Sequence, residues 1–261
     1  MADNQASEAR LGHSKSLVVT REQLAALPVV VGTDSFKPVA HIELVVSLES
    51  VLADRGIKIR TYDSGPRAGQ LAENFAMSQD GMKMYGTMDL VKNGIDGTCA
   101  SLGFRTANNK TMSLKIAAGL RVFVCDNGVF SGDIILSRKH TSGLNLLPEL
   151  FRGMDQYERN YNRLRDNVMK LQGYDMNDQL AKVLMHDLFA AQVMPVRLFP
   201  EVSNVYFNQF VTNPEPKFSA FAARTAWSLL NAFTEVAKEM PLTTRIKAAQ
   251  TVGETFGKLV E

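Results

Sequence analysis

The chain has 261 residues, 45% of them hydrophobic and 21% charged, with a formal net charge of +2, which suits one sizeable domain or one domain with a helical extension. That charge is too small to name a nucleic-acid partner from bulk electrostatics, and no run approaches the ~18 apolar residues of a membrane span. Two cysteines, Cys99 and Cys125, are too few for a disulfide framework or a cysteine-based zinc site, so both are expected to be reduced.

Residues 1–16 are polar and without period, the composition of a disordered tail. They lack the charged start and apolar middle of a secretory signal, and a cytoplasmic location is expected. Thr20 to Val31 reads as a short helix or turn and then an apolar strand-like run, punctuated by Gly32, Asp34 and Pro38. Leu44, Val45, Leu48, Val51 and Leu52 fall at helical spacing before Gly56, a suitable stop, and predict a helix covering one face of a sheet.

Ile57 to Tyr62 alternates apolar with polar residues, as a half-buried strand does. Met82, Met84, Gly86, Met88 and Leu90 alternate with Lys83, Tyr85, Thr87 and Asp89 and predict a second, with one more strand near Phe75 inside an otherwise loop-like Ser64–Gly81. A turn at Asn93–Gly97 would join this strand to Ala100–Arg105 as an antiparallel hairpin. Asn108–Thr111 reads as a turn and helix cap, Met112–Gly119 as one or two helical turns, and Leu120–Cys125 as a strand. An Asp126-Asn127-Gly128 turn then leads into Val129–Ser137.

Beyond Pro148, Leu150, Met154, Tyr157, Tyr161, Leu164, Val168 and Leu171 repeat in heptads, the signature of a long helix packed on the fold or of a self-associating coiled coil. A helix from Asn177 and Asp178 would bury Leu180, Leu184, Leu188 and Ala191. Arg197–Phe210 reads as extended, Asn213–Lys217 as a loop, and Ala222–Lys238 and Thr243–Leu259 as two last helices. The expected fold is α+β: an antiparallel sheet from about Ile57 to Ser137 with one covering helix, followed by a C-terminal helical region. The expected divisions are a tail and lead-in over 1–35, an α+β core over 36–147, and a helical region over 148–261 packed on that core.

Catalytic patterns are sparse. His13, His41, His140 and His186 stand alone, with no HExxH or Cys-His spacing, and P-loop, GxGxxG and GxSxG motifs are missing. No metal or cofactor is called for. Ser131-Gly132-Asp133 sets a serine beside a carboxylate, an arrangement more often structural than nucleophilic when no base is in sight. Trp227, Leu230, Asn231 and Thr234 share one helical face, which packing explains.

What stands out is charge placement between Arg105 and His140. Arg105, Lys110, Lys115, Arg121, Arg138 and Lys139 face only Asp126 and Asp133, a local excess of four positive charges, larger than that of the whole chain. Phe104, Phe123 and Phe130 are interleaved, a combination used by sequence-tolerant single-strand binders; a solvated sheet face with phenylalanines in the core is the competing explanation.

The run LGFRTANNKTMSLKIAAGLRVFVCDNGVFSGD, with Lys139-His140 after it, resembles the central motif of the phage/plasmid-like proteins called domain of unknown function nine-three-two. WSLLNAFTEV at Trp227–Val236 and FKPVAHIELV at Phe36–Val45 are similar to other parts of that family, extending the resemblance over roughly residues 36–257. The resemblance implies a role in mobile-element DNA metabolism or in conflict with a host, and brings no catalytic residues.

Three functions follow as expectations. The first is a non-enzymatic nucleic-acid-binding protein, an oligomeric single-stranded DNA binding or annealing protein, in which Arg105, Lys110, Lys115, Arg121, Arg138, Lys139 and His140 meet phosphates and Phe123 stacks. The second is a protein-interaction module acting against a host defence factor, associating through the 150–171 helix, which is also the route expected for a homo-oligomer. The third is an enzyme centred on Asp126, Asn127, Ser131, Asp133 and His140.

Overall fold

A computed structural model describes residues 17–63, 65–91, 98–122, 127–129, 134–214, 216–240 and 242–261. The strands are β1 (Leu17–Val19), β2 (Lys58–Ile59), β3 (Glu73–Met77), β4 (Lys83–Val91), β5 (Thr98–Ala107), β6 (Leu114–Val122), β7 (Asn127–Val129) and β8 (Ile134–Arg138). They join in the order β1-β3-β4-β5-β6-β7, with β2 also on β4 and β8 also on β6. The fold is therefore mixed α+β with an antiparallel sheet and a C-terminal helical region.

The chain divides into two units. The first comprises Met1–Asn93, Cys99–Gly119 and Asp133–Tyr161, the second Gly94–Thr98, Leu120–Gly132 and Asn162–Glu261.

In the first unit, period-two alternation sorts the strands into an inner and an outer face. Phe75, Met77, Met84, Met88, Leu102, Phe104, Leu114, Ile116 and Ala118 are buried on the inner side. Two helices cover this side: α1 (Arg21–Ala25) is a short lead-in, α2 (His41–Asp54) the main cover. Helix α2 forms on the stripe His41, Leu44, Val45, Leu48, Val51 and Leu52, all buried. Gly56, with φ +67°, takes the left-handed turn that ends it, and the Ile57 N–H donates to the Leu52 carbonyl at 2.9 Å. Arg21 clamps the layers: it meets both carboxylate oxygens of Glu73 on β3, at 2.9 and 2.6 Å, and Glu49 on α2 at 2.6 Å.

Helix α3 (Leu146–Gly173) begins in this unit. It packs against β8 at Gly153, where a Cβ would stand 3.4 Å from Leu136 Cβ, in ordinary van der Waals contact. Arg55, after α2, reaches Asp155 and donates to the Phe151 carbonyl at 3.1 Å, tying the two helices together. Leu150, Met154, Tyr157, Tyr161, Val168 and Leu171 are all buried and Leu164 is half-buried, so the heptad face is used inside the chain.

In the second unit the end of β6 pairs with β7, Leu120 opposite Val129 and Val122 opposite Asn127. The helices are α4 (Asp178–Ala190), α5 (Phe199–Asn204), α6 (Ala226–Ala237) and α7 (Leu242–Lys258), with a π-helical turn at Val205–Thr212 and 3-10 turns at Val196–Leu198 and Pro216–Phe221. Asn177 caps α4 by accepting from the Leu180 N–H at 2.9 Å. Phe189, Phe199, Phe233 and Phe256 form one aromatic chain, and Phe210 with Phe218 and Phe221 another. Trp227, Leu230, Asn231 and Thr234 are buried in α6, and Asn231 Nδ2 donates to the Trp227 carbonyl at 2.8 Å.

Several local expectations give way. Val29–Val31 is an exposed loop, with Val31 at 87% exposure: the Thr33–Phe36 bridge turns the chain before any strand partner is reached. Met112–Gly119 supplies most of strand β6, because Leu114, Ile116 and Ala118 alternate into the core. Asn127 and Gly128 are ladder residues of β7; Asp126 lies outside the described residues, as does the whole of Asn93–Gly97. Helix α4 buries Ala181, Met185, Leu188 and Phe189, leaving Leu180 and Leu184 half-buried and Ala191 exposed. Arg197–Phe210 is helical: Pro200 opens α5, and Leu198, Val202, Val205, Tyr206 and Phe210 bury one face at helical spacing.

Candidate nucleic-acid interface

The outer face of the first unit's sheet is polar. On β4 the outward residues are Lys83, Tyr85 and Thr87, half-buried, between inward Met84, Gly86 and Met88. The ladder sets Ala107, Arg105 and Gly103 of β5 opposite them, in that order. On the far side of β4, Ala76 stands opposite Tyr85 and Asn74 opposite Thr87. Lys115 of β6 points outward by alternation, since its neighbours Leu114 and Ile116 are core residues. Small residues thus separate cations and a tyrosine across several strands.

Arg105 has the least settled environment on this face. It is half-buried, its Nε is enclosed without a hydrogen-bond acceptor, and it forms no ion pair with a carboxylate among the described residues. A guanidinium partly removed from water and left without an anion is costly. Lys115 likewise has no carboxylate partner among the described residues. Lys83 has Asp80 nearby, whose carboxyl is held below its usual range mainly by the Ser78 hydroxyl and the Met82 N–H. The acid of the row, Asp89, is buried opposite Ser101.

Burial raises the Tyr85 hydroxyl above its ordinary range, with Arg105 opposing the shift, so the phenol stays neutral beside the cations. Further along the same edge, Tyr62 and Arg67 are engaged. The Arg67 guanidinium lies 4.4 Å from the Tyr62 ring centre, and both donate to Asn74 Oδ1, at 2.9 Å from Arg67 and 3.2 Å from Tyr62.

Of the residues expected to meet a polyanion, Arg105 and Lys115 share this outer face. The others go elsewhere. Lys110, at φ +64° in the β5–β6 turn, sits 5.1 Å from the centre of the Phe36 ring. Arg138 lies opposite Leu114, on the helical side, where its Nε donates to Glu149 at 2.7 Å. Lys139 is exposed beyond the end of β8. His140 is buried, its Nε2 3.0 Å from Thr106 Oγ1 and its ring 5.8 Å from that of Phe36. Arg121 is a β6 residue opposite Gly128, in the second unit, and Phe123 lies outside the described residues.

Phe104 is a core residue, 6.3 Å from Phe75, and Phe130 is outside the described residues, so the aromatic on the basic face is Tyr85. The alternation Lys83-Met84-Tyr85-Gly86-Thr87 held that signal, which counting charge only from Arg105 onward missed. Among the described residues no cluster of three or more His, Cys, Asp or Glu is placed to hold a metal ion, and no helix is long and apolar enough to cross a membrane.

The model of a protein family described as domain of unknown function (DUF932) matches residues 28–253. No curated protein and no solved structure matches the chain.

Proposed function

This chain belongs to the DUF932 family, a domain of unknown function, and on that premise we propose that it binds nucleic acid, single-stranded DNA in particular, on the outer face of its sheet. The observation that carries the reading is Arg105: half-buried, without a carboxylate, and with an enclosed Nε that lacks an acceptor. A phosphate beside the half-buried guanidinium supplies the missing counter-charge. Lys115 and Lys83 extend the positive charge along the face, and Tyr85 adds a neutral aromatic surface. The resemblance of the central motif to phage/plasmid-like proteins suits mobile-element DNA metabolism, with a cytoplasmic site of action.

The test is fluorescence anisotropy of a labelled single-stranded oligonucleotide titrated with the full chain at several salt concentrations. Affinity that falls steeply with salt supports the reading, because neutralised phosphates release counterions. Failure to bind at low salt, or binding indifferent to salt, overturns it.

The protein-interaction reading, with association through the 150–171 helix, would have to use a seam that is buried within the chain. The enzyme reading rests on Asp126, Ser131 and Asp133, outside the described residues, on Asn127 in β7, and on His140, engaged by Thr106. Neither has an observation in its favour to match Arg105.

A further inference from the structure

Resting on the reading just proposed, we infer that Tyr85 is the side chain on which an unpaired base stacks, and that it is what makes the outer face prefer a single strand to a duplex. The first unit's other rings near the sheet are occupied. Phe75 and Phe104 face each other in the core; Phe36 has the His140 ring on one side and the Lys110 ammonium 5.1 Å away; Tyr62 carries the Arg67 guanidinium and donates to Asn74. Tyr85 alone among these has neither an aromatic nor a cationic partner for its ring, and its hydroxyl has no hydrogen-bond partner among the described residues.

Its setting suits a stacked base. Ala76 stands directly across on the β3 side and Gly103 lies diagonally on the β5 side, so the large neighbour directly across the ladder is Arg105. Arg105, directly opposite, and Lys83, two residues along the same strand face, place cations where the phosphates flanking such a base would run. The raised hydroxyl keeps the ring neutral in the presence of those phosphates. A base within a duplex has both faces covered by its neighbours, so only an unpaired or extruded base can use the ring.

The test compares a labelled single strand and a duplex of equal length against the wild-type protein, Tyr85→Phe and Tyr85→Ala, at several salt concentrations. The expected result is a preference for the single strand, near-native binding by Tyr85→Phe, and a roughly tenfold loss of single-strand affinity in Tyr85→Ala at an unchanged salt slope. Tyr85→Trp guards against misfolding, because its added indole fluorescence, measured above that of Trp227, should be quenched by the single strand. Single-strand binding that survives Tyr85→Ala, or indole emission that ignores bound DNA, overturns the stacking role and leaves the basic face standing. Absence of binding by any nucleic acid overturns both.

Discussion

Tyr85 on β4 stands directly opposite Arg105 on β5, one rung of an antiparallel ladder running from Lys83–Ala107 to Leu90–Ala100. The next rung, Gly86 opposite Phe104, faces the core. The two rungs divide the work: the inner fixes the register, and the outer presents a neutral ring beside a cation.

That division makes Gly86 a stability position. A Cβ there would meet the Phe104 ring at 2.3 Å, and the ring is confined against Phe75. Gly86→Ala should lower stability by about 1–3 kcal/mol, seen as an earlier urea midpoint. Adding Phe104→Leu should cost less than the two single changes combined, since it removes the clash; additive losses would contradict the contact.

Arg21 should be needed for its charge. It neutralises Glu73, buried at 9% exposure, together with Glu49, and both carboxylates hold its own proton more tightly than usual. Arg21→Met keeps much of the stem but leaves a buried carboxylate uncompensated, at a cost of about 3 kcal/mol. Arg21→Met with Glu73→Gln should recover much of that loss, and chemical denaturation of the three proteins checks it.

Acid should loosen the first unit through His41 and His140. His41 Nε2 donates to the Gly81 carbonyl at 2.9 Å and His140 Nε2 meets Thr106, while both Nδ1 atoms are enclosed without a partner. Burial holds both imidazoles below the ordinary histidine range, and the charge on His140 lowers His41 further. The unfolded chain therefore binds more protons as pH falls below about 6.5, so the stabilisation is present above that value and is lost toward the depressed folded values. The urea midpoint should drop between about pH 7 and about pH 5. His41→Gln with His140→Gln should flatten that dependence, and an unchanged profile would contradict it.

Much of the fold was legible in the sequence because its strongest patterns answer to burial. The stripe from Leu44 to Leu52, the alternation from Met82 to Leu90 and the heptads from Leu150 to Leu171 became α2, β4 and α3. Met112–Gly119 misled because Leu114, Ile116 and Ala118 are spaced by two in too short a run to exclude helical turns. Arg197–Phe210 misled because its buried residues follow a 3-10, α and π sequence whose changing pitch blurs the period. The candidate site was legible in part. Arg105 and Lys115 were found by their charge, but charge along a chain does not say which side of a sheet it occupies. Only strand register separates them from Lys110, Arg138 and Lys139, and only the half-buried state of Arg105 distinguishes it from an ordinary solvated cation.

The most direct measurement is the slope of single-strand affinity against salt, on logarithmic axes, for the wild-type protein and for Arg105→Gln with Lys115→Gln. Loss of two phosphate contacts should weaken binding and reduce the slope by about 1.4. Lys37→Gln, whose ammonium donates to the Leu144 carbonyl at 3.1 Å, combined with Lys110→Gln, whose ammonium sits over Phe36, should leave the slope near the wild-type value. An unchanged slope in the Arg105 and Lys115 variant would contradict the assignment of the outer face as the nucleic-acid interface.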